Sequence, residues 1–155
     1  MKTTAKLDIG ANAPKFELPD QTGQIHKLSD YKGKTVVLYF YPKDDTPGCT
    51  KQACEFRDTQ ASFKRKKAVV LGISPDAPKS HQKFVTKFDL NFPLLADEDK
   101  SVCNAYGVWK LKKFMGRQYM GVERSTFVIG PDGKLKNILR KVKPEGHARE
   151  MLGEI

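Results

Sequence analysis

What the chain lacks narrows it quickly. No stretch of its 155 residues approaches the ~20 consecutive apolar residues that a membrane-spanning helix requires. The amino terminus, Met1 to Asp8, carries positive charge but no apolar block behind it. No secretory signal is expected there, and a cytoplasmic location is. Cysteine is scarce: Cys49, Cys54 and Cys103 do not make the framework of a disulfide-stapled domain. The three histidines, His26, His81 and His147, stand apart. With no Cys-x-x-Cys pair to join them, a zinc site is not expected, and no histidine offers an obvious base for a Cys–His protease. No two glycines fall two positions apart, so dinucleotide- and phosphate-binding glycine patterns are absent. Neither a metal nor an organic cofactor is expected.

What is present describes an ordinary globule. The chain is 39% hydrophobic and 30% charged, which excludes a mostly disordered protein. Its length suits one domain over residues 1–155, able to bury on the order of 70% of its unfolded surface without staples. Lys and Arg outnumber Asp and Glu by 28 to 18, a balance of +10. The basic residues are scattered: Lys64 to Lys67, then Lys110, Lys112 and Lys113, then Lys134 to Lys143. Scatter reads as solvated faces rather than a nucleic-acid groove. No nucleic-acid partner and no membrane partner are expected. An acidic protein partner would be steered by such a surface.

Turn signals and hydrophobic period set the elements. Phe16 to Leu18 and Ile25 to Leu28 flank Asp20-Gln21-Thr22-Gly23 and predict a hairpin. Thr35 to Tyr41 is a continuous β-branched and aromatic run, hence a strand buried on both faces. Thr46 to Lys66 predicts a helix, Ala68 to Ile73 a second buried strand and Pro78 to Phe88 a second helix. Pro93 to Ala96 is a short extended piece, Lys100 to Tyr106 a short helix, and Trp109 to Val122 an irregular excursion. Ser125 to Ile129 and Leu135 to Val142 form a hairpin about Pro131-Asp132-Gly133. Glu145 to Leu152 closes the chain as a helix. Strand–helix–strand demands a parallel pair with a right-handed crossover, and the late hairpin adds antiparallel strands. The result is α/β: a mixed sheet with helices on both faces. This order is that of the thioredoxin fold, with an amino-terminal hairpin and an insertion before the last hairpin.

The chemistry gathers at the first helix. Tyr41-Pro42-Lys43-Asp44-Asp45-Thr46-Pro47-Gly48-Cys49-Thr50 follows the carboxyl end of a central strand, where open α/β sheets place their sites. Thr46 suits the N-cap and Pro47 the first helical position. Cys49 then lies in the first turn of an exposed, turn-rich segment, facing free N–H groups and the positive end of the helix dipole. Both favour thiolate over thiol. Cys54 lies five positions on. An ideal helix sets their α carbons roughly 8–9 Å apart, and a disulfide needs less than about 7 Å. The two can bond only if this turn unwinds. Such a pair is ill suited to a structural bridge and suits a thiol that is oxidised first and then captured. Cys103, between Val102 and Ala105, reads as a small core residue, with a second resolving or regulatory thiol as the alternative. Trp109 and the phenylalanines read as core.

Pro42-x-x-x-Thr46-x-x-Cys49 resembles the active-site motif of peroxiredoxins. The longer run to Thr50, with a cysteine at 54, is similar to the Q-type branch, also called bacterioferritin comigratory protein. The resemblance continues through Phe92 to Asp97, Ala105 to Trp109, Tyr119 to Phe127 and Gly146-His147-Ala148, nearly the whole chain from about Leu7.

The resemblance implies thiol-based peroxide reduction in antioxidant defence. Cys49 is the implied peroxidatic nucleophile, becoming a sulfenic acid. Cys54 is the implied resolving cysteine of an intrachain disulfide, reduced by thioredoxin or a similar dithiol. Thr46, the N–H groups of Gly48 and Cys49, and Arg124 would hold hydrogen peroxide or an organic hydroperoxide and stabilise the breaking O–O bond. Pro42 would shield the thiolate from water. An intrachain resolving thiol needs no partner subunit, so a monomer is expected. A thioredoxin-like dithiol/disulfide oxidoreductase is the alternative enzyme. Against it stand the missing Cys-x-x-Cys and Arg124 in the place where thioredoxins carry a cis-proline. A basic nucleic-acid or partner-binding module is the alternative outside enzymes.

Overall fold

The structure is a computed structural model and describes residues 7–155. The stretch Met1 to Lys6, on which most of the expectation about a leader falls, lies outside the described residues.

The chain runs β1 (Glu17–Pro19), β2 (Ile25–Lys27), a 3-10 turn, β3 (Thr35–Phe40), α1 (Pro47–Asp58), α2 (Gln60–Arg65), β4 (Ala68–Ser74), α3 (Pro78–Phe88) and β5 (Leu94–Ala96). It continues through α4 (Ser101–Ala105), β6 (Trp109–Phe114), β7 (Arg117–Val122), β8 (Ser125–Ile129), β9 (Leu135–Leu139) and α5 (His147–Glu154). Five strands form the central sheet in the order β5-β4-β3-β8-β9. The β5-β4-β3 part is parallel, and β8 and β9 join antiparallel.

Strand β3 shows why a continuous apolar run means a central strand. Its side chains alternate between two cores, Val36, Leu38 and Phe40 on one face and Val37 and Tyr39 on the other, because successive residues of a strand point to opposite sides. The first core is closed by α4 through Val102 and Cys103 and by the β1–β2 hairpin through Leu18. The second is closed by α1 (Ala53, Phe56), α2 (Phe63), α3 (Phe84) and α5 (Ala148, Met151). Helices thus flank both faces, as expected.

Three expectations need correction. The helix predicted over Thr46 to Lys66 breaks at Thr59, whose hydroxyl donates back to the Glu55 carbonyl at 2.8 Å. A threonine that bonds its own helix backbone competes with the helical ladder. Trp109 to Val122 is no irregular excursion but a six-rung antiparallel hairpin, Trp109 opposite Val122 and Phe114 opposite Arg117. Its two-residue turn, Met115-Gly116, is left-handed at both positions. Nor are all the phenylalanines core: Phe114 is 65% exposed. Trp109 is half-buried against the first core, with the Lys100 ammonium 5.7 Å from its ring.

Candidate active site

The site is built where β3 leaves the sheet. Tyr41 still donates its N–H to the Ile73 carbonyl at 3.0 Å. The chain then turns through Pro42 to Thr46, with Pro42 half-buried. Asp44 fastens this loop. Its carboxylate accepts from the Tyr41 hydroxyl (2.6 Å) and the Ser80 hydroxyl (2.8 Å) and faces His81 Nδ1 (2.7 Å), while its N–H donates to Asp76 (2.8 Å). Asp44, Asp76 and His81 have the donor types of a metal site. Their atoms are instead engaged with one another, with Tyr41 and with the serines at 74 and 80.

Thr46 is the residue before α1, with extended backbone, and Pro47 occupies the first helical position. The expected side-chain cap is absent. The Thr46 hydroxyl donates to the Lys43 carbonyl at 2.9 Å, closing the loop rather than the helix. The first helical bond runs from Thr50 N–H to the Thr46 carbonyl. The amides of Gly48 and Cys49 therefore precede the helical ladder, with no side chain capping them.

The segment is exposed as expected at Lys43, Asp45 and Pro47, but Cys49 itself is 2% exposed. The turn signals of Pro42, Pro47 and Gly48 describe the loop backbone, whereas the thiol points inward among Tyr39, Ala53 and Phe56. Arg124, between β7 and β8, reaches it: Nη2 lies 3.3 Å from Sγ. Gly48 permits the approach, since a Cβ there would stand 3.3 Å from that same nitrogen and 3.3 Å from Pro144. Nη1 donates to Gln52 Oε1 at 2.5 Å, and the Arg124 carbonyl accepts from Val142 N–H at 2.9 Å. One guanidinium is thus gripped by a buried amide and aimed at the sulfur.

Gln52 is a site residue that the motif does not contain. Its spacing is the signal that could find it, because a residue three positions after Cys49 shares its helix face. Its Nε2 and the Tyr39 hydroxyl are buried without hydrogen-bond partners among the described residues. Burial first, then the charges of Cys49 and Asp44, holds the Tyr39 hydroxyl well above its ordinary titration range.

Cys54 is half-buried on the same unbroken helix, and all three cysteines are free. Cys103 is fully buried in the other core, across the sheet from Cys49. Burial, then the Asp97 carboxylate, pushes its thiol far up. The core role is what this setting supports.

Two side chains of α1 tie it to the start of α5. Glu55 accepts the Gly146 N–H at 2.7 Å, and Lys51 faces Glu145 at 3.8 Å. His147 sits behind, with Nε2 2.7 Å from the Thr126 hydroxyl and Nδ1 2.9 Å from Glu150. Burial pulls its protonation to lower pH, with Glu150 opposing.

The sequence profile of the AhpC/TSA family matches residues 9–138. The chain belongs to this family. It is 52% identical over 146 residues to peroxiredoxin Bcp of Bacillus subtilis, covering 94% of this chain and 93% of that one. To peroxiredoxin Bcp of Escherichia coli K12 it is 48% identical over 141 residues, covering 91% and 90%. A cysteine-to-serine variant of Xylella fastidiosa PrxQ superposes with a TM-score of 0.91 at 38% identity, covering 97% and 96%. The bacterioferritin comigratory protein of Xanthomonas campestris superposes at 0.87 and 38%, covering 95% and 94%. The fold is that of thioredoxin-like peroxiredoxins, and the activity of this peroxiredoxin is that of a thiol peroxidase. Among the described residues no helix is long and apolar enough to cross a membrane.

Proposed function

We propose that this peroxiredoxin reduces hydrogen peroxide and organic hydroperoxides at Cys49, that Cys54 resolves the product as an intrachain disulfide, and that thioredoxin or a similar dithiol restores both thiols. The observation that carries this reading is the Arg124 guanidinium 3.3 Å from the sulfur of Cys49 in the first turn of α1. The bacterioferritin comigratory protein of Xanthomonas campestris has alkyl peroxide reduction activity, which favours the organic substrates here.

The Cys49 thiolate attacks one peroxide oxygen, and the O–O bond breaks. The sulfur takes that oxygen as sulfenic acid, and the other oxygen leaves as water or alcohol after taking a proton. Arg124 and the free amides of Gly48 and Cys49 donate to the oxygens as charge develops. Thr46 has its hydroxyl hydrogen committed to Lys43, so its oxygen is left to accept the peroxide proton. Pro42 is given the role of shielding the sulfur from water. The Cys54 thiol then attacks the sulfenic sulfur, the S–S bond forms and water leaves. An external dithiol reduces the bridge by two thiol–disulfide exchanges. Both thiols lie on one chain, so the monomer suffices, and residues 1–155 act as one domain.

Resolution requires α1 to melt, because an intact helix holds the α carbons roughly 8–9 Å apart. Amide exchange over residues 46–58 is expected to be protected in the reduced protein and fast in the disulfide form. Cys54→Ser is expected to react with peroxide once at the normal rate in stopped flow, then accumulate sulfenic acid and overoxidise. A disulfide between Cys49 and Cys54 with unchanged protection would sink the melting step. A normal multiple-turnover rate in Cys54→Ser would reassign the resolving thiol.

The contacts from α1 to Gly146 and Glu145 oppose that melting. Glu55→Ala removes a charge-assisted but solvent-accessible hydrogen bond worth about 1 kcal/mol. Disulfide formation in that variant is expected to quicken about fivefold, and overoxidation at a given peroxide concentration to fall. Equal resolution rates in the two proteins would show that Glu55 does not hold the helix closed.

A further inference from the structure

The β6–β7 hairpin is the least expected surface of the molecule. Five of the seven large hydrophobic side chains exposed among the described residues lie on it: Leu111, Phe114, Met115, Tyr119 and Met120. Soluble surfaces rarely concentrate apolar side chains in this way without a use. The hairpin forms a two-stranded sheet of its own. Its strand register sets Leu111 opposite Met120 on one face, and Tyr119 and Phe114 on the other. Apolar side chains therefore stand on both faces and at the tip.

The tip adds a second observation. Met115 and Gly116 both have left-handed backbone, φ 49° and 77°. Such a two-residue turn normally takes Asn-Gly, and a long side chain is disfavoured at its first position. Here that position holds methionine, and its side chain is 86% exposed. The fold thus accepts an unfavourable conformation in order to hold an apolar group out in solvent.

The charge pattern says what covers it. Lys110 pairs with Glu123 at 3.4 Å, while Lys112, Lys113 and Arg117 also lie in the hairpin, where no Asp or Glu falls between Asp99 and Glu123. We propose that the β6–β7 hairpin is a peripheral docking element for an anionic lipid bilayer, with Phe114 and Met115 entering the interface and the cations meeting lipid headgroups. A protein partner would cover one face of the hairpin, whereas apolar groups on both faces and at the tip suit immersion in a medium that surrounds it. Lysine and arginine keep their charge at the headgroups while their stems lie along the apolar region. The expectation of no membrane partner rests on the lack of a spanning segment, and a surface-bound hairpin needs none.

The test is co-sedimentation of the full chain with vesicles of phosphatidylcholine alone and of phosphatidylcholine with phosphatidylglycerol. The protein is expected to partition onto the anionic vesicles, more weakly as salt rises. Phe114→Ser and Met115→Asn are each expected to lower partitioning about tenfold, the loss of one buried apolar side chain. Met115→Asn also restores the favoured Asn-Gly turn, so its thermal stability should not fall and lost binding cannot be blamed on unfolding. Three results would overturn the proposal. One is no binding to anionic vesicles at low salt. Another is equal binding by wild type and both variants, which is adsorption through scattered charge. The third is a hairpin-dependent dimer in ultracentrifugation with no vesicle binding, which assigns the surface to a second copy of the chain.

Discussion

Cys49→Ser is expected to consume no peroxide above the background of buffer and dithiol. The variant removes only the reactive atom. Serine is near in shape, and the position is buried against Tyr39, Ala53 and Phe56, so α1 and the Arg124 contact should persist. A hydroxyl has no accessible anion near neutral pH, whereas the thiol does. The other thiols cannot take over easily. Cys103 lies in the opposite core, and burial beside Asp97 holds it protonated. Cys54 sits five residues along α1 from Cys49, without the free amides of the first turn. Peroxide loss followed in the presence of dithiol, with circular dichroism to establish folding, makes the measurement. Substantial turnover in a folded Cys49→Ser protein would move the nucleophile to Cys54.

The amino-acid pattern is legible wherever one local rule acts alone. The unbroken run from Val36 to Tyr41 can only be a strand with two cores. Thr46-Pro47 marks the start of α1 because an extended residue followed by proline fits a helix entrance. The pattern misleads where a side chain has a choice of partners. Thr46 spends its hydroxyl on Lys43 and Thr59 on Glu55. Neither choice is visible in the residue type. The hairpin at Trp109 to Val122 escapes because the alternation of Trp109-Lys110-Leu111-Lys112 breaks at Lys113-Phe114 and the Met115-Gly116 turn lacks the usual Asn-Gly signal. Cys49 looks exposed in sequence because turn residues tell the backbone path and not the direction of the side chain. Within the site, Arg124 is found through its strand and its motif. Gln52 is within reach by spacing. Glu55 and His147 are not, since their partners Gly146 and Thr126 lie 91 and 21 residues away.

Arg124→Ala is expected to slow sulfenic acid formation by about 10²–10³, the usual loss on removing one donor from a preorganised anion site. Two causes act together. The guanidinium stands 3.3 Å from the sulfur, and an opposite charge that near favours thiolate. Without it, the negative charge on the attacking sulfur has no cation beside it. The same group also donates to the peroxide oxygens, so the rate should fall even where the thiolate is fully formed. Arg124→Lys separates the two. A single ammonium keeps the positive charge but lacks the fork that lets one nitrogen grip Gln52 while the other faces Cys49. The lysine variant should therefore react faster than the alanine variant yet remain well below wild type in rate. In both, Gln52 loses the donor to its buried carbonyl oxygen, which costs about 1–3 kcal/mol of stability and should appear as a lower denaturant midpoint with an unchanged slope. If the peroxide rate is unchanged in Arg124→Ala while stability falls, Arg124 is a structural partner of Gln52 and the anion site must rest on the amides of Gly48 and Cys49 alone.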